Sequence, residues 1–226
     1  MTEFERNENA ILTTKRRRIM TYFVEATRKL IQTEGVDGLS IRKIANEAGY
    51  NSATIYNYFK NLEHLSLFGS ACYLRDYVLA LSNSLSPEMN ALERYRCIYR
   101  CFNEIAFRYP DIFHNMFFGR YSEMLGDVLH TYYYELFPEE LSGLSESMRR
   151  MLVAGSMAQR DIVAIQAMVE EGLIAPGKAE ITMELIIAVH QNFIYEASIH
   201  SDSLDIEEHK RRFNQVFEYL LAQAKE

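Results

Sequence analysis

Residues 41–60 read IRKIANEAGYNSATIYNYFK. Two short helical patterns meet there across a glycine. Ile41, Ile44, Ala45 and Ala48 follow i, i+3, i+4, i+7 and share one helical face. Ser40 is placed to cap that helix and Gly49 to stop it. Ser52 is read as the cap of a following short helix ending near Tyr58, with Ile55 and Phe59 turned inward at i, i+4. A helix-turn-helix needs a small residue where its helices approach, a residue that tolerates positive φ in the turn, and apolar residues locking the second helix. Ala45, Gly49 and the pair Ile55 and Phe59 meet those three needs in the right order.

With Ile55 and Phe59 inward, a rotation of about 100° per residue turns Ala53 and Asn57 outward. Thr54 and Tyr56 flank that face and Ser52 opens the helix. Small and polar groups on a short helix suit insertion into a DNA major groove. Arg42, one turn into the preceding helix, is the natural partner of a guanine edge or a phosphate. Tyr58 and Lys60 stand where the helix would leave the groove, positioned for phosphates. Ser40 and the first N–H groups of both helices also point toward that backbone. The bland alternative, three packed helices with a solvated polar face, leaves the local charge unexplained.

That charge is uneven. The chain of 226 residues has a formal net charge of −7, yet residues 1–60 hold 10 Lys and Arg against 7 Asp and Glu, and the remainder 14 against 24. Lys15, Arg16, Arg17 and Arg18 stand in a row. Of these Arg17 is taken as a candidate DNA contact. A basic head on an acidic body suggests two tasks.

Outward from this segment, helical periodicity dominates and no stretch alternates with period two. Thr14 is read as the cap of a helix to about Thr33, with Ile19, Phe23, Ala26 and Leu30 on one stripe and Gly35 at its end. Asn61 caps a helix through about Leu81, and a Ser-rich break follows at residues 82–87. Further helices are expected at roughly 90–108, 111–136 with a break at Gly119 left open, 145–172, 178–200 and 205–224. The resulting expectation is an all-α chain of about nine helices. Its parts are a flexible arm over residues 1–14, a DNA-binding domain over 15–60, a connecting helix over 61–83 and a larger bundle over 84–226.

Residues 15–65 resemble the DNA-binding domain of the TetR family of bacterial transcriptional regulators. The resemblance is carried by Gly38-Leu39-Ser40-Ile41-Arg42-Lys43-Ile44-Ala45, then Ala48-Gly49, then Thr54-Ile55-Tyr56-Asn57-Tyr58-Phe59. Where the family commonly has a phosphate-binding lysine at the start of the fourth helix, this chain has Leu62, and Lys60 is the residue at hand to replace it. The resemblance implies a C-terminal domain that binds a small molecule and dimerises through its last two helices.

The residues of the acidic body agree with that implication. Ile186, Val189, His190, Phe193 and Ala197 form one apolar stripe, and Phe213, Val216, Phe217, Leu220 and Leu221 another. His190, Phe193, Phe213, Phe217 and Leu220 are accordingly expected at a dimer interface. Aromatic and methionine side chains crowd the middle of the chain, and Tyr77, Phe102, Phe113, Phe117, Tyr121, Met124 and Met157 are candidates for an apolar pocket. Asp161 falls on the apolar stripe of Ala154, Met157, Ala164 and Met168, where a carboxylate needs a partner: Arg160 beside it, or a cationic or hydroxylated ligand.

Signals for other chemistry are poor. Gly172 to Lys178 reads G-x-x-x-x-G-K, but Ala179 replaces the Ser or Thr of a phosphate-binding loop and the segment joins two helices. Asp127 and His130 at i, i+3 are too few for a metal site. Cys72, Cys97 and Cys101 make no disulfide framework. Neither a cofactor nor an enzymatic activity is expected. The polar residues 1–9 do not resemble a signal peptide and the apolar run Leu185–Val189 is far too short to span a bilayer, so a cytoplasmic protein is expected. The expected function is a homodimeric repressor that leaves a palindromic operator in double-stranded DNA when a small-molecule effector binds. The alternatives are control by a protein partner, or a helical ligand-binding bundle that has lost DNA binding.

Overall fold

In the computed structural model, residues 13–200 and 203–225 are described, and they are all-helical with connecting turns. Most of the arm expected over residues 1–14 lies outside the described residues. Two compact units divide the chain: one comprises the residues up to Ala71 together with Asp127–Gly143, the other Cys72–Gly126 and Leu144 onward.

The first unit opens with α1 (Thr14–Glu34), α2 (Ile41–Ala48), α3 (Ser52–Ile55) and α4 (Leu62–Ser70). Thr13, not Thr14, caps α1, its hydroxyl accepting the Arg16 N–H at 3.3 Å. Phe23, Val24, Leu30 and Ile31 of α1 are buried with Ile44, Ala45, Ile55, Phe59, Leu65 and Phe68. Phe59 is the centre of this core, edge-on to Phe23 and to Phe68 with ring centroids 6.2 and 5.3 Å away. Asn61 caps α4 by accepting the His64 N–H at 2.8 Å.

The helix expected to run from Asn61 to Leu81 is broken at Ala71, after which α5 (Cys72–Ser84) begins. No Gly or Pro marks residue 71. The break has two visible causes. The Ala71 N–H takes the Phe68 carbonyl in a tighter turn, at 3.4 Å, and the Ala71 carbonyl accepts the Tyr133 hydroxyl at 2.5 Å. The units also part at this point, inside the stretch read from sequence as one connecting helix.

Tyr133 comes from the mid-chain segment that joins the first unit. Helix α8 (Leu125–His130) leads into a wider π turn over Thr131–Leu136, closed by the Phe137 N–H on the Tyr132 carbonyl at 2.8 Å, and then into a short 3₁₀ turn at Pro138–Leu141. The extra residue in the π turn lets adjacent Tyr132 and Tyr133 both point inward. The Tyr132 hydroxyl reaches Glu140 at 3.1 Å, and Glu140 pairs with Arg28 of α1 at 2.9 Å.

The second unit contains α5, α6 (Ala91–Ala106), α7 (Pro110–Phe118), α9 (Glu146–Val153), α10 (Met157–Glu170), α11 (Ala179–Ile199) and α12 (Ile206–Gln223). Asn90 and Glu93 form a capping box on α6, and Pro110 opens α7 where its missing N–H costs nothing. The stretch over 111–136 is broken at Gly119, the position the sequence left open, and the helix expected over 145–172 is interrupted at residues 154–156. At that interruption the Arg160 guanidinium takes the freed carbonyls of Leu152 and Ala154, at 3.2 and 2.8 Å. A Cβ on Gly155 would stand 2.6 Å from the Gly126 amide nitrogen, so this close approach of the two backbones requires glycine at residue 155.

Candidate nucleic-acid interface

The turn between α2 and α3 rests on local chemistry. Ser40 caps α2, its hydroxyl accepting the Lys43 N–H at 3.2 Å. Gly49 takes φ 74° and ψ 29°, and the Tyr50 N–H returns to the Ala45 carbonyl at 2.9 Å. An added Cβ at Gly49 would meet nothing within 4 Å, so the demand for glycine comes from the left-handed dihedral angles alone. Asn51, not Ser52, caps α3, with its carbonyl oxygen accepting the Ala53 N–H at 2.9 Å. Adjacent Asn and Ser are both good caps, so their order alone leaves the start uncertain by one residue.

Regular helix ends at Ile55, earlier than expected, but turns carry the chain on: Asn57 N–H to Thr54 and Phe59 N–H to Ile55, at 3.2 and 2.9 Å. Ile55 and Phe59 are sealed into the core. Ala53, Tyr56 and Asn57 are exposed, with Tyr56 open to 60%, and Ser52, Thr54 and Tyr58 are half-buried at the margins. Arg42 is exposed on α2 and makes no hydrogen bond or ion pair among the described residues, unlike its neighbour Lys43, which pairs with Glu34.

The basic run divides its labour. The Arg16 guanidinium lies 5.1 Å from the Tyr58 ring centroid and donates to the Asn57 carbonyl at 3.2 Å. Arg17, the residue singled out from sequence, donates to the Leu136 carbonyl at 3.4 Å, while Arg18 bonds the Tyr22 hydroxyl at 3.0 Å. Arg16 is thus the member of the run that joins the outward face of α3. Only the spacing of four cations along a helix hinted at it. Lys60 is exposed; its N–H meets the His64 imidazole at 3.1 Å. Burial, helped by the Lys60 charge, holds that imidazole down to about 4, so it accepts this bond as the neutral ring.

A second polar constellation lies inside the other unit. Asp161 is 1% exposed, and one carboxylate oxygen accepts the hydroxyls of Tyr95 and Tyr99 at 2.9 and 2.6 Å. Burial raises its carboxyl to about 6, against the pull of both phenols and of Arg160. Tyr77, Ile98, Tyr99, Phe102, Met157, Arg160 and Asp161 line a cavity of about 10 Å³, the room of one water molecule. Of the candidate pocket residues, Tyr77, Phe102, Met157 and Asp161 meet there. Phe113 and Phe117 are core residues one layer behind that lining, their rings 5.2 and 5.6 Å from Phe102 and the Arg160 guanidinium 5.2 Å from Phe117, while Tyr121 and Met124 are half-buried and do not line it.

The residues expected at a dimer interface are mostly packed inside one chain. His190 and Phe213 are fully buried within one chain, and Phe193 and Phe217 nearly so; Leu220 alone is half-buried. His190 bonds Asn103 at 2.7 Å, and its ring stands 5.0 Å from Phe213 and 5.2 Å from Tyr99. The two stripes face each other and α6 within the chain. The large apolar groups left open on these two helices are Ile181, Leu185, Tyr195 and Ile199 on α11 and Ile206 and Tyr219 on α12.

Two helices joined by a left-handed glycine, the second locked from beneath and open above, define a helix-turn-helix module. Residues 23–67 match the family model of the bacterial regulatory proteins of the tetR family. No curated protein matches the chain. Among solved structures, it is similar to a TetR-family transcription regulator from Marinobacter aquaeolei VT8, with 20% identity over 91% of this chain and 97% of that one, at a TM-score of 0.47. Another, from Haemophilus influenzae, shares 20% identity over 94% and 98% of the two chains, at a TM-score of 0.46. The functional reading rests on the N-terminal segment and its geometry.

Among the described residues no three His, Cys, Asp or Glu side chains are grouped to hold a metal ion, and no helix is long and apolar enough to cross a membrane.

Proposed function

We propose that this chain is a cytoplasmic, homodimeric transcriptional regulator that reads a palindromic operator in double-stranded DNA and is released from it by a small-molecule effector. The observation that carries the reading is the open row of Ala53, Thr54, Tyr56 and Asn57 above a sealed Ile55 and Phe59, with Arg42 beside it. In this reading Thr54, Tyr56, Asn57 and Arg42 meet base edges, while Ser40, Ser52, Tyr58, Lys60 and Arg16 hold phosphates. Arg17 serves phosphate only if it leaves Leu136.

Dimerisation is assigned to the outward rows of α11 and α12, where Ile181, Leu185, Tyr195, Ile199 and Tyr219 stand open. A two-fold dimer would present two reading helices about one or more turns of DNA apart, ~34 Å each. The effector is assigned to the space around Tyr77, Phe102, Met157 and Asp161. Binding there acts only through its differential affinity for the DNA-bound and free forms.

One observation favours a second reading. The space around Asp161 admits only about one water, a volume of 10 Å³. A regulator with so closed a core would be governed from its surface, by a protein partner on the acidic body. Selection of bound duplexes from random DNA at two salt concentrations tests the main reading. An enriched inverted repeat is expected. No enrichment, with binding lost at moderate salt, would refute sequence-specific recognition. With the operator in hand, release by small molecules but not by cell proteins would separate the two modes of control.

A further inference from the structure

The first unit is discontinuous. Its α1–α4 portion ends at Ala71, and Asp127–Gly143 returns to it from the middle of the chain. This strap begins after Gly126, whose backbone is pressed against Gly155, and ends at Gly143, a residue at φ +80°. Both of its ends therefore lead into the second unit.

The strap touches the first unit at two places. One is α1, through the Arg28–Glu140 ion pair at 2.9 Å, with the Arg28 guanidinium 5.4 Å from the Phe137 ring centroid. The other is the Ala71 carbonyl, held by the fully buried Tyr133 hydroxyl at 2.5 Å. That carbonyl lies at the break between α4 and α5, where the chain passes from one unit to the other. A hydrogen bond there fixes the direction in which α4 ends. Helix α4 is in turn packed closely on α1: a Cβ on Gly69 would come within 2.5 Å of Thr27.

We propose that Tyr133 is a positioning residue for DNA binding, a latch on the α4–α5 junction carried by a strap that the second unit holds at both ends. The latch sets the end of α4, and α4 sets α1 and the two helices α1 supports. Tyr133 touches no DNA in this arrangement. A movement of the second unit that draws the strap away breaks the bond to Ala71 and frees the junction. The inference rests on the DNA-binding reading and supplies its means of regulation.

The test uses full-length Tyr133→Phe, which removes the hydroxyl and keeps the ring. Its affinity for the selected operator duplex should fall about five- to tenfold, while the slope of log affinity against log salt stays that of the unsubstituted protein, because no phosphate contact is lost. Amide exchange at residues 71–75 should quicken about tenfold, with the amides of α11 and α12 unchanged. Glu140→Gln, which weakens the second anchor on α1, should lower affinity in the same direction by a smaller factor. Unchanged affinity, unchanged exchange at residues 71–75, or a loss of binding wholly accounted for by a smaller folded fraction would each overturn the latch. If the unsubstituted protein selects no duplex, the DNA-binding reading falls and the latch with it. If it selects one that Tyr133→Phe binds equally well, the latch alone falls.

Discussion

The outward face of α3 in the first unit and the cluster around Asp161 in the second keep their polar side chains in opposite states. In the first, Arg42, Ala53, Tyr56, Asn57 and Lys60 stand in water over an apolar floor. In the second, Asn103, Arg160, Asp161 and His190 are buried among aromatic rings. Exposed groups cost little to maintain and remain free to meet a charged partner. Buried ones must find partners inside, so the fold itself depends on them. Substitutions in the first unit should therefore register in binding, and substitutions in the second in stability.

The largest effect is expected where an aromatic side chain is wholly enclosed. Phe213→Ala should cost about 3–5 kcal/mol in a denaturant titration, with a cavity left between Tyr99, His190 and Phe217. Leu185→Ser, on the outward row of α11, should instead shift the chain toward monomer in sedimentation and leave the monomer's own unfolding within about 0.5 kcal/mol. If Phe213→Ala yielded a stable monomer, its stripe would belong to an interface after all.

On the exposed side, Arg42→Ala and Tyr56→Ala should each weaken operator binding by about 1–3 kcal/mol while leaving thermal unfolding unmoved. Both variants binding as tightly as the parent would remove the reading face from α3.

Acid distinguishes the buried groups from one another. Burial holds His190 at about 3, below the usual 6.5, so the folded chain binds one proton fewer through that window and loses stability as pH falls. Asp161 is raised from 3.8 to about 6, so there the folded chain binds one proton more and loses stability as pH rises. His64 in the first unit, held at about 4, has the sign of His190. Between about pH 4 and 6 the Asp161 and His190 contributions oppose each other. Asp161→Asn removes one of them, and unfolding measured across that range should become steeper toward acid by about 1.4 kcal/mol per pH unit. Equal slopes in the two proteins would mean that Asp161 titrates normally in the fold.

The smallest effect is expected at the exposed pair Arg211–Glu208 on α12. Its geometry is good, at 2.6 Å, but both partners lie in water. Arg211→Ala should leave the denaturant midpoint unmoved.

The same contrast explains which features the sequence made legible. Ser40, Gly49, Ile55 and Phe59 act on neighbours within a few residues, so their spacing was enough to place the turn and the outward face. A stripe on α11 or α12 reports a period and not what it packs against, so the contacts of His190, Phe193, Phe213 and Phe217 with one another inside the chain are not legible from spacing. The break at Ala71 left no glycine or proline behind, because its cause is a tyrosine 62 residues away. The carboxylate at Asp161 was visible as an anomaly on an apolar stripe, while its partners Tyr95 and Tyr99, on another helix, were not.

The discontinuity of the first unit also bears on how the chain is made. Helices α1–α4 leave the ribosome early, but Tyr132, Tyr133 and Glu140 follow only after most of α5–α8 has been synthesised. At ~5–20 residues per second, that interval lasts on the order of several seconds. Throughout it the α1 surface that later holds the strap stays uncovered, and a nascent basic segment could meet nucleic acid before its own latch exists. For the same reason a fragment cut at Ala71 would lack part of its own core, so the reading unit cannot be isolated by shortening the gene.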